Sequence, residues 1–201
     1  MLRSRCRKLP GVLSDSDKTI ILVLYYFMDT TIGIERDFDL TEIINGEEVV
    51  TPSPLWIHQI IRDNLFRKID RHVEQKGLGR LSSSPLDVIF EEGQLRLQPD
   101  LLFIRKENMP VVITDWVRIM PDMVCEIVSP GTYKRDTITK KEIYEKYGVP
   151  EYWVVIPALK IIEVLTIDEG KYKLYSYVEG EGVVTSKVID GLQVNVKEIF
   201  E

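Results

Sequence analysis

Two apolar runs with the composition of β-strands each carry a single carboxylate. Asp100 follows Pro99 and precedes Leu-Leu-Phe-Ile, and Glu126 lies inside the run 124–128. A strand buried on both faces cannot hold an ionised carboxylate cheaply, so each acid must be paired, protonated or bound to a cation. If the two strands are neighbours in one sheet, both carboxylates can converge on a single metal ion.

The other residue types limit which metal such a site could bind. The chain has two cysteines, Cys6 and Cys125, and two histidines, His58 and His72. These residues exclude a His-rich site, and their spacing does not suggest a cysteine-based zinc site or a disulfide scaffold. Carboxylate oxygens suit Mg²⁺ or Mn²⁺, so we expect one of these two ions at a metal site.

The net charge of the chain is negative, so overall charge attraction cannot by itself bind the protein to a polyanion. The chain has 26 Lys and Arg residues against 32 Asp and Glu residues, which gives a formal charge of −6. Such a protein is not held on nucleic acid or on an anionic membrane by its overall field. A role on nucleic acid must therefore depend on a few placed residues and a bound cation.

The first 27 residues differ from the rest of the chain. Five basic residues precede an apolar run at 19–27 that is too short for a transmembrane helix, which needs about 20 residues. We interpret Met28 as the natural start, 1–27 as an upstream extension and 28–201 as one domain. A cleaved leader and a docked strand or helix are the alternatives. We expect a cytoplasmic protein without a membrane span.

The pattern of apolar and turn residues predicts alternating strands and helices. Asn45-Gly46 is a hairpin turn signal within 42–50. A helix is expected over about 54–75, with Ser53 as its N-cap and Gly77 at its end. The other expected elements are strands at 87–90, 97–104, 111–113, 122–128, 151–156, 160–166, 171–177 and 183–189, and a helix over about 136–147. This order predicts an α/β fold of one domain, in which helices flank a mixed β-sheet.

The second predicted helix has one face that carries a lysine among apolar residues. Lys140, Ile143, Tyr144 and Tyr147 recur at helical spacing and are expected to pack on the sheet, whereas Lys141 points to solvent. A lysine aimed at two carboxylates could position water and stabilise charge in metal-assisted phosphodiester hydrolysis. The alternatives are a structural Lys–Glu bridge and a lysine that extends past the edge of the core.

Four motifs together resemble the Uma2 family, also called DUF820. They are Pro99-Asp100, Glu126-Ile-Val-Ser-Pro130, Asp136-x-x-x-Lys140-x-x-x-Tyr144 and Gly148-Val-Pro-Glu-Tyr-Trp153. The resemblance covers residues 38–201. It implies a PD-(D/E)XK, restriction-endonuclease-like fold and a metal-dependent endonuclease with DNA as the expected substrate. A nuclease-fold protein that binds nucleic acid, or assembles, without turnover is the alternative.

The resemblance also implies roles for individual residues. Asp100 and Glu126 would be metal ligands, and the main-chain carbonyl of Ile127 would complete the protein's share of the metal shell. The usual lysine of the superfamily would fall at Val128, two residues after Glu126. Lys140, on the helix, is therefore expected to supply the ammonium group instead.

Five further residues are candidates for supporting roles. Glu42 could add a ligand or could be an ordinary hairpin charge, and His58 could contact substrate or could be a histidine at the edge of the core. Tyr144 could support the helix lysine or could be a core residue. Lys134 and Arg135 are candidate phosphate contacts. A homodimer would suit double-strand cleavage, although no sequence feature predicts one.

Overall fold

A computed structural model of the chain describes residues 40–50, 53–109 and 116–201. The predicted extension 1–27 and the strand predicted at 111–113 lie outside these residues. In the described part of the chain, no helix has the length and apolar character needed to cross a membrane. The segment from Leu40 to Glu201 forms one unit.

The described residues alternate between strands and helices. The strands are β1 Thr41–Ile44, β2 Glu47–Val50, β3 Gly79–Ser83, β4 Val88–Glu91, β5 Leu95–Leu97, β6 Leu101–Arg105, β7 Met123–Ile127, β8 Glu151–Ile156, β9 Ile161–Asp168, β10 Lys171–Glu179, β11 Val183–Thr185 and β12 Gln193–Asn195. The helices are α1 Trp56–Lys76, α2 Lys141–Lys146 and α3 Lys197–Phe200. A π-helical segment, Arg135–Lys140, leads directly into α2.

The described strands form three sheets, of which the smallest is the antiparallel pair β11-β12. The main sheet has six strands in the order β10-β9-β8-β7-β6-β3, and the smaller sheet has four in the order β2-β1-β5-β4. In the main sheet β7 and β8 are parallel, and every other neighbouring pair is antiparallel. The fold is therefore α/β with a mixed sheet, as the sequence predicted.

The central strand β7 is buried on both faces. Met123, Cys125 and Ile127 belong to the core cluster that includes the buried stripe of α1. Val124 belongs to a second core cluster, which includes Tyr144 of α2. Because side chains alternate along a strand, Glu126 points to the same face as Val124, toward α2. The acid predicted to lie in an apolar strand is thus placed between sheet and helix.

The ends of α1 are partly as predicted. Gly77 ends the helix with a left-handed backbone (φ 61°), as predicted. The predicted N-cap at Ser53 is wrong, because the helix begins at Trp56 and the extended residue Leu55 precedes it without a side-chain capping bond. The buried stripe of the helix consists of Ile61, Leu65, Ile69 and Val73, whereas Ile57 is exposed.

Two predicted strands are wrong in extent. The run 97–104 divides between β5 of the smaller sheet and β6 of the main sheet, with Pro99 at the crossing. Proline has no N–H for a strand ladder, so the chain can leave one sheet and join the other at this point. The strand predicted at 183–189 ends at Thr185, because the Ser186 hydroxyl accepts hydrogen bonds from the backbone of Val188 and Ile189. The short elements β3, β12 and α3 were not predicted.

Candidate active site

Glu126 lies in the middle of β7 with a side chain that is almost fully buried. Its Oε1 atom lies 3.0 Å from the Lys140 ammonium nitrogen and accepts a hydrogen bond of 2.6 Å from the Tyr144 hydroxyl. Both donors come from the helical segment that covers this face of the sheet. The structure therefore places Lys140 and Tyr144 on the same oxygen of the predicted ligand Glu126.

Lys140 is surrounded by carboxylates from three elements. Its Nζ atom is 2.8 Å from Glu42 Oε1 of β1, 3.0 Å from Glu126 of β7 and 3.9 Å from Asp136 Oδ1 of the π-helical segment. Its side chain is only 4% exposed. The lysine is thus a buried cation that joins the smaller sheet to the main sheet.

Burial and neighbouring charge shift the pKa values of this cluster in a consistent way. Burial raises the pKa of Glu126 well above its ordinary value; Lys140 opposes this shift, and the other carboxylates add to it. Burial lowers the pKa of Lys140, but the nearby carboxylates, with Glu126 foremost, outweigh it and raise that pKa. Lys140 therefore stays protonated at neutral pH and acts as a fixed positive charge, not as a base.

Asp100 lies just before β6 and shares its Oδ2 atom between two donors. The backbone N–H of Ile127 donates a hydrogen bond of 2.7 Å, and His58 Nε2 lies 3.2 Å away. Burial lowers the pKa of His58, but its hydrogen bond to Asp100 and the charge of that acid more than offset this, so the pKa is raised. His58, near the start of α1, is therefore an ionic partner of Asp100.

These side chains line one cleft of about 310 Å³ between the two sheets and the first turn of α1. Glu42 Oε2 and Arg135 Nε face each other there at 3.9 Å, and neither has a hydrogen-bond partner among the residues that the structure describes. Lys134 is exposed and does not line the cleft. Of the two predicted phosphate contacts, only Arg135 is thus placed beside the acids.

Asp136 is a member of this cluster that the sequence analysis did not include among its candidates. It is buried, accepts a hydrogen bond from the Thr132 hydroxyl, and its main-chain carbonyl accepts one from the Tyr152 hydroxyl at 2.7 Å. Burial raises its pKa, while Lys140 and Thr132 oppose that shift. The four-residue spacing from Asp136 to Lys140 was the sequence signal that could have identified it.

The donor atoms of the cleft suit a hard divalent cation. The hydrogen bonds from Ile127, Lys140 and Tyr144 fall on Asp100 Oδ2 and Glu126 Oε1, one oxygen of each carboxylate. The same part of the chain contains no group of three or more His, Cys, Asp or Glu residues arranged as a metal site. Mg²⁺ is commonly bound by one or two carboxylates together with water and substrate phosphate, so two acids are sufficient.

A known protein family matches most of the chain. A model of the Uma2 family, described as "Putative restriction endonuclease", matches residues 33–197. The chain belongs to the Uma2 family. The resemblance noted in the sequence is thereby confirmed for most of the length of this Uma2 protein.

One solved structure shares the fold of the Uma2 protein. It is described as "a putative nuclease belonging to DUF820 from Anabaena variabilis ATCC 29413". The two chains are 21% identical and superpose with a TM-score of 0.68, over 80% of this chain and 89% of the other. No curated protein matches the chain.

The buried hydrogen bond from Tyr144 to Glu126 gives a direct test of the packing around the site. We expect Tyr144→Phe to lower the free energy of unfolding by about 1.5–3 kcal/mol, because a carboxylate in a buried site loses a donor. Urea denaturation measures this change. Tyr147→Phe is the matched control, since the Tyr147 hydroxyl donates to Glu91 at an exposed position. An equal effect of the two substitutions would contradict the interpretation.

Proposed function

We propose that the cleft hydrolyses phosphodiester bonds in DNA with the help of Mg²⁺ or Mn²⁺. The observation that carries the proposal is the meeting of Asp100, Glu126 and a buried ammonium group in one cleft of a Uma2 protein. Carboxylates that can hold a cation, next to a fixed positive charge, suit a reaction in which negative charge develops on a phosphate.

Asp100, Glu126 and the main-chain carbonyl of Ile127 would hold the ion. Once bound, it would supply a Lewis acid for the phosphate and lower the pKa of water. Asp100 is held in place by its hydrogen bond from the Ile127 N–H and by His58. Tyr144 fixes the orientation of Glu126 by donating a hydrogen bond to its Oε1 atom.

Lys140 and Arg135 are the cations that would face the scissile phosphate. Lys140 is held by Glu126 and Glu42, so its ammonium is pre-positioned to orient water and to stabilise charge as it develops. Arg135 lies at the cleft with an Nε–H that no described residue accepts, and a phosphate oxygen would satisfy it. Glu42 acts as a positioning residue, since its Oε1 atom holds the Lys140 ammonium at 2.8 Å.

An ion-pair network with a structural role alone is the competing explanation. Lys140 is paired with Glu126 and Glu42, and buried networks of this kind also occur at non-functional positions. In that case the protein would bind nucleic acid or assemble without turnover.

The test is cleavage of supercoiled plasmid, single-stranded DNA and RNA by the purified full chain. We expect nicked or linear product in the presence of Mg²⁺ or Mn²⁺ and none when the cations are chelated. Sedimentation of the same sample reports whether the active species is a homodimer. Binding of DNA without cleavage in any of the metals would instead support the non-hydrolytic alternative.

A further inference from the structure

One mouth of the cleft has a surface of exposed apolar residues. It consists of Leu40, Leu55, Trp56 and Ile57, which we call the apolar rim. Leu40 and Leu55 line the cleft itself, and all four side chains are exposed. His58, the next residue in the chain, is the partner of Asp100. Leu40 and Leu55 of the apolar rim thus border the proposed catalytic groups, and Trp56 follows Leu55 directly in the chain.

Trp56 is the most exposed part of this surface. Its side chain is 80% exposed, and it makes no hydrogen bond or ring contact with any described residue. The other tryptophans differ: Trp153 is fully buried and donates to Glu151, and Trp116 packs against the guanidinium of Arg118. A free indole face, joined to a cluster of exposed apolar residues, is typical of a ligand-binding surface.

The position of Trp56 and the charge of the protein indicate what this surface binds. The chain carries a net charge of −6, so general attraction to phosphates is weak and affinity must come from other contacts. An aromatic ring beside a phosphate-binding cleft can supply such contacts by stacking on a nucleobase. Bases inside a duplex already stack on each other, so only an unpaired base offers a free face.

We propose that the apolar rim binds an unpaired nucleobase next to the phosphate in the cleft, with Trp56 as the stacking residue. The preferred substrate class is then a single strand, or a duplex with an unpaired segment, rather than a fully paired duplex. This inference builds on the proposed phosphodiesterase function, but it concerns binding and can be measured without cleavage.

Fluorescence anisotropy with two labelled DNA probes tests the inference. The probes are an oligothymidylate of about 20 nucleotides and a blunt duplex of the same length, with Ca²⁺ in place of Mg²⁺ and gels to verify that the probes stay intact. We expect Trp56→Ala to weaken binding of the single strand about tenfold and binding of the duplex less than about twofold. Trp116→Ala is the matched control and should change neither affinity.

Trp56→Phe separates stacking from general damage to the surface. Phenylalanine can still stack, so single-strand affinity should stay within about threefold of the wild type. The drop in tryptophan emission that accompanies strand binding should disappear, because the emitting ring is gone. Loss of both affinity and quenching in this variant would argue against stacking.

Other outcomes would overturn the inference. If Trp56→Ala weakened binding of both probes equally, or of neither, Trp56 would not be a contact for unpaired bases. A self-associated wild type that Trp56→Ala dissociates, with strand binding unchanged, would make the rim an interface between copies of the chain. Failure of the proposed function is distinguished by the cleavage assay on plasmid and on single-stranded DNA. If neither is cleaved but Trp56→Ala selectively loses single-strand binding, the site binds bases but does not hydrolyse.

Discussion

Glu126→Gln is expected to lower the rate of phosphodiester cleavage about a thousandfold or more while leaving the fold intact. The substitution removes a proposed metal ligand and the charge beside the water-orienting ammonium, and a thousandfold corresponds to about 4 kcal/mol of transition-state stabilisation. The fold should tolerate the change for two reasons. Burial already disfavours the ionised form of Glu126, and Lys140 keeps Glu42 as a partner at 2.8 Å.

Glu151→Gln is the matched control for this experiment. Glu151 is also a buried strand glutamate, but it lies outside the cleft and accepts hydrogen bonds from the Ser186 hydroxyl, the Trp153 indole and the backbone of Lys187 and Val188. Glutamine has one acceptor oxygen, so two donors lose their partner and stability should fall by about 1–3 kcal/mol with cleavage retained. Cleavage that survives Glu126→Gln would remove that residue from the mechanism.

Lys140→Met is expected to have the largest effect on stability, about 3–5 kcal/mol at neutral pH. Methionine has a similar length but no charge, so Glu126 and Glu42 remain buried and lose their shared cation. Denaturation in urea, followed by circular dichroism, measures the loss. Cleavage should be lost as well under conditions in which the variant is still folded, because the fixed positive charge is missing.

The pH dependence of this effect distinguishes charge from packing. Without Lys140 the folded-state pKa of Glu126 rises further, so the folded protein binds more protons than the unfolded chain, in which a glutamate has a pKa of about 4.3. The destabilisation should therefore be smaller when the pH is near the pKa of glutamate in the unfolded chain. It should grow as the pH rises above that value. Lys141→Met, one residue along, should change stability little at any pH. A loss that does not vary with pH would indicate a packing defect.

Part of the site could be predicted because charged residues stand out in the sequence when they interrupt the apolar pattern of a buried element. An acid within an apolar strand and a lysine on the apolar face of a helix each violate the simple hydrophobic pattern, and the structure brings Glu126 and Lys140 together at 3.0 Å. Asp100 follows the same logic, since it directly precedes β6, which pairs with β7. Local patterns therefore singled out three side chains that the fold brings into one cleft.

Other features depend on long-range geometry that a sequence pattern does not contain. The contact of Glu42 with Lys140 joins a strand of the smaller sheet to the helical segment that covers the main sheet, and the N–H of Gln98 also donates to Glu42. Glu151 lies at the first position of its strand, and only the fold reveals the four donors around it. The N-cap of α1 was mispredicted at Ser53 because a favourable capping residue shows where a helix could begin, while tertiary packing decides where it does.

The hairpin that carries Glu42 has a further consequence for access to the cleft. β1 joins β5 through only two paired positions, Ile43 with Arg96 and Ile44 with Leu95, and β2 forms the edge of the smaller sheet. Elements attached in this way open at a fraction of the free energy of global unfolding. Where such an opening also breaks the ion pair from Glu42 to Lys140, one wall of the cleft moves away. A polymer could enter laterally at an internal position, without being threaded from a free end.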